Sequence, residues 1–370
     1  MADRSELLIV GGGPAALEAA LAVQRLAGER VHITLLSDRD DFVHRPVSVA
    51  EPFGLAPPER FSLSGIAAER GLAFKLGPLS AVDTEGHHVV CADGERVPYD
   101  TLLLAIGARS RDAIPGALTF RDGPRLREAL ERLGSTSARV AFLAGPENGW
   151  TLPLYELALM TSRWALEQGL TLETWVVTYE HQPLSVFGEQ AAAEIARLLD
   201  DAGVRLWTGA FVECVEDGRV WVSLEGGLPV DLAVALPRPA GPAIPGLPHD
   251  AAGFVEVDEH SRVRGVDDVY AAGDMTSRPL KQGGLATQQA DVAAAAIAAA
   301  AGADVEAERY RPVLRAMLLT GGSPRFLRHA ATDRGQVSDD APWWPPHKIS
   351  GRELAPYLTA HPELRLQTPS

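Results

Sequence analysis

Three groups of residues in this sequence are of the kind and spacing that can do chemistry: glycines able to cradle a phosphate, polar side chains beside further glycines, and two cysteines. Gly11-x-Gly13-x-x-Ala16 fits a turn in which the first glycine bends tightly and the second lets a pyrophosphate approach the main chain. The small third residue then lets a helix pack on a strand. Such a turn presents unpaired helix N–H groups and the positive end of a helix dipole to an anion. A dinucleotide is therefore expected at Gly11, Gly13, Pro14, Ala15 and Ala16. About 20 positions on, where an acidic ribose-holding residue is usual, stands Ser37, followed by Asp38. Cys91 and Cys214 are too far apart for a CxxC redox pair and too few for a cysteine-rich metal site, so no metal is expected and both read as core residues.

The elements that must position these residues are legible around them. Residues 6–36 read as strand, glycine turn, alanine-rich helix and strand, with the apolar period switching from 2 to 3.6 and back. Pro14 suits a first helical turn and Gly28 a helix stop. A second α/β run follows from about 113 to 249. It has strands in "RVAFLA", "LETWVVT" and "VRLWTG", and helices in "PLYELALMTSRWALEQG" and "GEQAAAEIARLLDDAG".

Composition narrows the function classes. A chain of 370 residues holds two or three domains. Its formal net charge of −15 argues against a nucleic-acid partner, because a phosphate backbone needs an electropositive face. No apolar run reaches the length of a membrane span, and Asp3-Arg4 leads directly into a strand rather than a signal peptide, so the expected location is cytoplasmic, with peripheral membrane association left open.

Two further segments resemble the FAD-dependent pyridine nucleotide-disulfide oxidoreductase superfamily: "YDTLLLAIGA" (99–108), its crossover strand and turn, and "DVYAAGDM" (268–275), its second FAD motif. The resemblance implies that Asp274 bonds the ribityl chain of FAD and that Gly273 lets the backbone come close. "RPLKQGGLATQQADVAAAAIAA" resembles the helix facing the flavin in type II NADH dehydrogenases and sulfide:quinone oxidoreductases. By that resemblance the helix dipole would stabilise negative charge on reduced flavin, and Gln288 and Gln289 match paired glutamines of the dehydrogenases. Gly284 stands where that motif has an earlier glutamine. Lys281, one of three lysines, is expected near the flavin or its acceptor, and with Gln288 forms the candidate catalytic pair. A solvated loop is the other reading of this lysine. "DFVHRPVSVAEPFG" (41–54) resembles the loop that passes the flavin, making Arg45 and Pro46 candidate contacts and His44 a packing or surface histidine. Further cofactor contacts are expected at Val82, Ala105, Gly107, Gly284 and Leu285.

The superfamily's two cysteine chemistries cannot be built from Cys91 and Cys214. NAD(P)H is the candidate second cofactor, but its signals are altered. Only Gly145 and Gly149 appear in "GPENGW", and Glu156, which resembles the family's helix glutamate, follows Gly145 by eleven positions, where Glu18 follows Gly11 by seven. The longer turn carries Trp150 and Pro153, and "ALPRP" replaces the closing glycine motif. In the tail, "VLRAMLLT" and "RFLRHAA" read as a hairpin, "DRGQVSDDAPWWPP" as a loop and "SGRELAPYL" as a helix. Trp343 and Trp344 read as packing over a sheet, or as a cap over the flavin site, a docking point or a membrane contact.

The expected fold is α/β with two Rossmann-like dinucleotide-binding domains and a short C-terminal cap. The FAD-binding domain is discontinuous (1–112 and 250–305), the NAD(P)-binding-like domain covers 113–249, and the cap covers 306–370. The expected function is FAD-dependent electron transfer from NAD(P)H or another two-electron donor to a small-molecule, quinone-like or protein acceptor. The alternative is a flavin-binding redox sensor or assembly protein whose second nucleotide domain no longer binds NAD(P)H.

Overall fold

A computed structural model describes residues 4–366 except 56, 135–136 and 225, so the first three and last four positions of the expected outer regions lie outside the described residues. Two five-stranded parallel sheets organise the chain. The first has the order Val269–Ala271, Thr101–Leu104, Ser5–Val10, Val31–Ser37, Ala73–Leu76. Its strands are almost continuously apolar because both faces are covered. Alternate residues go to opposite sides: Leu7, Ile9 and Leu35 pack under the helices, while Leu8, Val10 and Leu36 meet Val89, Ile244 and Val255 on the far face.

The helices Pro14–Ala27 and Gly283–Ala300 lie together over the first face. Ala16, Ala19 and Ala20 on one and Ala290, Ala293 and Ala294 on the other are all buried, and their small side chains let the two backbones approach closely. Both helices begin at the carboxyl end of a strand, which sets where a ligand can sit.

The second sheet runs Leu118–Thr119, Leu232–Ala235, Ala138–Ala144, Leu172–Thr178, Arg205–Trp207, again all parallel. Val140, Phe142 and Val176 pack against the helices Leu152–Glu167 and Glu189–Asp201, together with Leu314, Leu318 and Leu327 of the tail. Ala141, Leu143 and Val177 pack on a small antiparallel sheet through Val220 and Val222.

The tail forms the expected hairpin, Val313–Leu318 with Arg325–Ala330. A third strand, Gln336–Ser338, pairs with Phe326–Arg328 where the sequence reads as loop. Three mostly polar residues between Gly335 and Asp339 carry no apolar period, so only the neighbouring strand identifies them. The last helix is Leu354–Ala360, starting later than the sequence suggests, and the N–H groups of Glu353 and Leu354 at its start donate to the buried carboxylate of Glu18. Among the described residues no helix is long and apolar enough to cross a membrane.

Candidate functional site

A cavity of about 540 Å³ lies across the carboxyl ends of the first sheet. Each strand end contributes to its wall: Gly11–Ala15 after the first strand, Ser37–Arg39 after the second, Gly77–Ser80 after the third, Ala105–Arg109 after the fourth and Ala272–Asp274 after the fifth. Gly11 has φ +134°, and a Cβ there would meet the Ala105 carbonyl oxygen at 2.3 Å, so only glycine fits between the strands. Its N–H donates to the Leu36 carbonyl at 2.8 Å. Gly13 is the opposite case. A Cβ there would meet nothing within 4 Å, so the glycine leaves bare main chain on the cavity wall.

Pro14, Ala15, Ser37, Asp38, Arg45, Pro46, Ala105, Gly107, Gly273 and Asp274 all line this one cavity. Four expected contact residues do not. Ala16 is fully buried between helix and sheet, which is the packing task its small size serves. Val82 points into the core and its N–H donates to the Pro245 carbonyl at 2.9 Å, while Leu79 and Ser80 take the wall position. Gly284 and Leu285 are buried, whereas Gly283 and Ala286 face the cavity. Each helical residue turns about 100°, so 283 and 286 share a face that 284 and 285 leave.

The two expected catalytic residues also lie off the wall. The Gln288 amide is spent on main chain, donating to the Gly284 and Val313 carbonyls and accepting from Val313 N–H, each at 2.9 Å. It staples the helix to the tail. Its neighbour Gln289 reaches the turn instead: its Oε1 accepts from Gly273 N–H at 2.9 Å and from the Thr276 hydroxyl at 3.2 Å. The Lys281 ammonium donates to the Thr276 carbonyl and sits 3.9 Å above the Phe254 ring centroid. Burial lowers its pKa to about 8, against the pull of Asp274 and Asp250.

Asp274 accepts no hydrogen bond from the protein among the described residues. Burial raises its pKa, and Lys281 opposes the rise. Its carboxylate is thus a desolvated acceptor that faces the cavity rather than a protein donor among the described residues. The helix at Gly283 begins on the same wall; the Gln282 side chain caps it by accepting from Leu285 N–H at 2.7 Å, and the positive end of its dipole faces the cavity. His44 is a packing histidine: buried, held neutral with a pKa of about 4 by burial and by His347 and Lys348, its ring 6.3 Å from Phe42 and 6.1 Å from His347.

Sequence reasoning missed Arg39, Arg109, the stretch Pro242–Pro245 and Ile349, all of which line the cavity. Arg109 directly follows the recognised crossover turn and was within reach of the motif. Ile349 comes from the far end of the chain, and no local signal announces it. Trp343 packs edge-on against Phe326 at 5.4 Å and donates to the His347 carbonyl. Trp344 is 82% exposed, and neither tryptophan lines the cavity.

The corresponding turn of the second sheet is built differently. Gly145 N–H donates to the Asn148 side-chain oxygen at 2.7 Å, and the Asn148 amide donates to the carbonyls of Leu236 (3.1 Å) and Pro237 (2.8 Å). The Trp150 ring meets Phe187 at 5.9 Å. Glu156 is fully buried and paired with Lys348 at 2.7 Å.

Such a cavity at the carboxyl ends of a parallel sheet, behind a glycine turn, is where a dinucleotide-binding enzyme would carry its cofactor. A family model described as pyridine nucleotide-disulphide oxidoreductase matches residues 5–300. The chain belongs to this family of FAD-dependent oxidoreductases. Among its relatives is an NADH dehydrogenase-like protein of Mycobacterium tuberculosis, 29% identical over 302 residues, which are 74% of this chain and 73% of that protein. Another is the ferredoxin–NAD(+) reductase component of the p-cumate 2,3-dioxygenase system of Pseudomonas putida, 27% identical over 75% of this chain and 69% of the relative. The fold is shared with the sulfide:quinone oxidoreductase of Aquifex aeolicus, with a TM-score of 0.81 over 90% of this chain and 86% of that one, at 16% identity. Neither cysteine of this family member lines the cavity: Cys91 is buried in the far-face core and Cys214 lies on the strand Val212–Glu216.

Proposed function

We propose that this oxidoreductase binds FAD in the 540 Å³ cavity and passes two electrons from a donor, through the flavin, to a quinone-like or protein acceptor. One observation carries the reading: a single cavity joins the bare main chain of Gly13 to the unpartnered carboxylate of Asp274. The first suits a pyrophosphate and the second suits hydroxyl donors, and FAD carries both groups along one molecule. When bound, FAD supplies the two-electron chemistry at its isoalloxazine ring.

The residues present fit that group. Gly11, Gly13, Pro14 and Ala15 would hold the pyrophosphate at the start of the first helix, with Arg45 and Arg109 adding positive charge. Ser37 and Asp38 would take the ribose. Asp274 would accept from the ribityl hydroxyls, on a turn whose backbone Gln289 fixes. The start of the Gly283–Ala300 helix would stabilise negative charge arriving on the ring. Lys281 would secure the Asp274 turn through its bond to Thr276. The names of sequence relatives, a ferredoxin–NAD(+) reductase component and a demethylphylloquinone reductase, support a protein or quinone acceptor.

The purified protein should be yellow, release one FAD per chain on denaturation, bleach with dithionite and recover its colour on addition of a soluble quinone. A colourless protein that takes up no added FAD would overturn the proposal.

A further inference from the structure

We infer that the second nucleotide fold is closed to NAD(P)H by its own side chains, so that the donor in the proposed flavin reaction is not a nicotinamide. The inference rests on the FAD reading for its consequence, but not for its geometry. A dinucleotide on such a fold needs a phosphate turn, an accessible helix start and a hydrogen-bonding group for the ribose at the end of the second strand. The first sheet offers all three to its cavity. In the second sheet each is already engaged within the protein.

At the phosphate turn, Asn148 is 4% exposed and its side chain sits inside the loop. It accepts from Gly145 N–H, an amide at the turn a pyrophosphate would use, and donates to two carbonyls at the end of the neighbouring strand. Gly145 has φ −97°, whereas its counterpart Gly11 has φ +134°, so the turn follows a different path. The far side is also taken, because a Cβ on Gly149 would meet the Pro279 carbonyl oxygen at 2.8 Å.

The helix start is covered as well. Thr151, Leu152 and Leu154 are buried, and just before them the Trp150 ring packs edge-on against Phe187 at 5.9 Å, whereas Pro14 and Ala15 of the first helix line a cavity. The ribose position shows the same engagement. Glu180, two residues past the strand Leu172–Thr178, turns inward and accepts from the Tyr155 hydroxyl at 2.6 Å. Glu156, which resembles the family's helix glutamate, is committed to Lys348.

The test uses the FAD-loaded full chain. Under anaerobic conditions, NADH and NADPH at ~1 mM, the upper end of ordinary KM values, should leave the flavin absorbance unchanged while dithionite bleaches it. In parallel, NADH fluorescence should show no saturable change on titration with the protein, a readout that needs no bound flavin. Bleaching by either nucleotide, or saturable NADH or NADPH binding, would overturn the inference and leave the FAD proposal standing. Failure to hold FAD would overturn the proposal, and the fluorescence titration would still decide the inference.

Discussion

The Lys348 ammonium lies 2.7 Å from one oxygen of Glu156 and 2.8 Å from the other, and 2.9 Å from the carbonyl oxygen of Pro46. One buried cation therefore ties the first long helix of the second sheet, the tail and the loop on the cavity wall together. Glu156 also accepts from Leu319 N–H at 2.8 Å, so the pair is well satisfied. Burial raises the pKa of Glu156 and lowers that of Lys348, and each partner opposes the shift in the other.

Removing one member of this pair strands the other charge. Lys348→Met should destabilise the protein by about 3–5 kcal/mol, because a buried carboxylate is left uncompensated. The double variant Lys348→Met/Glu156→Gln should recover most of that loss. Urea unfolding monitored by tryptophan fluorescence checks both, and equal losses in single and double variants would show that the pair is not the source.

Gly11 and Gly13 should fail in different ways. Gly11→Ala drives a methyl group into the Ala105 carbonyl and should lower stability even without cofactor. Gly13→Val has free space on the protein side and, at the N-cap of the helix, should lower the melting temperature of the apoprotein less than Gly11→Ala does. FAD affinity should fall at least about tenfold, equivalent to ~1.4 kcal/mol. Fluorescence titration of FAD into the apoproteins separates the two, and unchanged FAD affinity in Gly13→Val would rule out this turn as the phosphate cradle.

Asp291 makes stability depend on pH. Its carboxyl shares a hydrogen bond with Glu18, and burial followed by the Glu18 charge raises its pKa to about 8, with Arg352 opposing and Glu353 adding to the rise. A carboxyl whose pKa is raised on folding stabilises the native state while protonated, and that contribution is lost as pH climbs from about 4 to about 8. Asp291→Asn keeps a donor without the titration. Its melting temperature should match the wild type near pH 4 and exceed it increasingly up to pH 9. Parallel melting curves across that range would contradict the shared proton.

Lys281 should titrate within reach of solution; Lys348, its pKa also lowered by burial, is fully enclosed with Glu156. With a pKa of about 8 Lys281 is half neutral at pH 8, while Lys75, paired with Glu95, is raised above the ordinary lysine value. The native state then binds fewer protons than the unfolded chain between about pH 8 and 10.5, so this group's contribution to stability rises across that interval. Reductive methylation with carbon-13 formaldehyde followed by NMR titration reads this directly. A resonance near pKa 8 that disappears in Lys281→Met is expected, and its persistence in the variant would assign it elsewhere.

Much of the first half of the site was legible because it is local. The turn from Gly11 to Ala15 and its strand and helix lie within one stretch, and a glycine needed for close contact is visible as a glycine. Asp274 was legible through the motif around it. Side-chain direction was harder to read: Gln288 and Gln289 are adjacent in sequence, yet only Gln289 meets the turn below Asp274. A rotation of about 100° per residue decides which, and the sequence does not set its phase. Val82 failed for the same reason on a strand, where the wall passes to Leu79 and Ser80.

By itself the sequence determined a family member with two parallel α/β layers, a phosphate-type turn on the first and an altered turn on the second, because periodicity and glycine placement are short-range properties of the chain. Only the tertiary structure decided that Ile349 reaches the cavity wall, that Lys348 engages Glu156 and that Asn148 fills the second turn. Lys348 and Glu156 lie 192 positions apart, Ile349 packs against Gly283 on the cavity wall, and Asn148 reaches the carbonyls of another strand, so all three depend on how distant segments come together when the core closes.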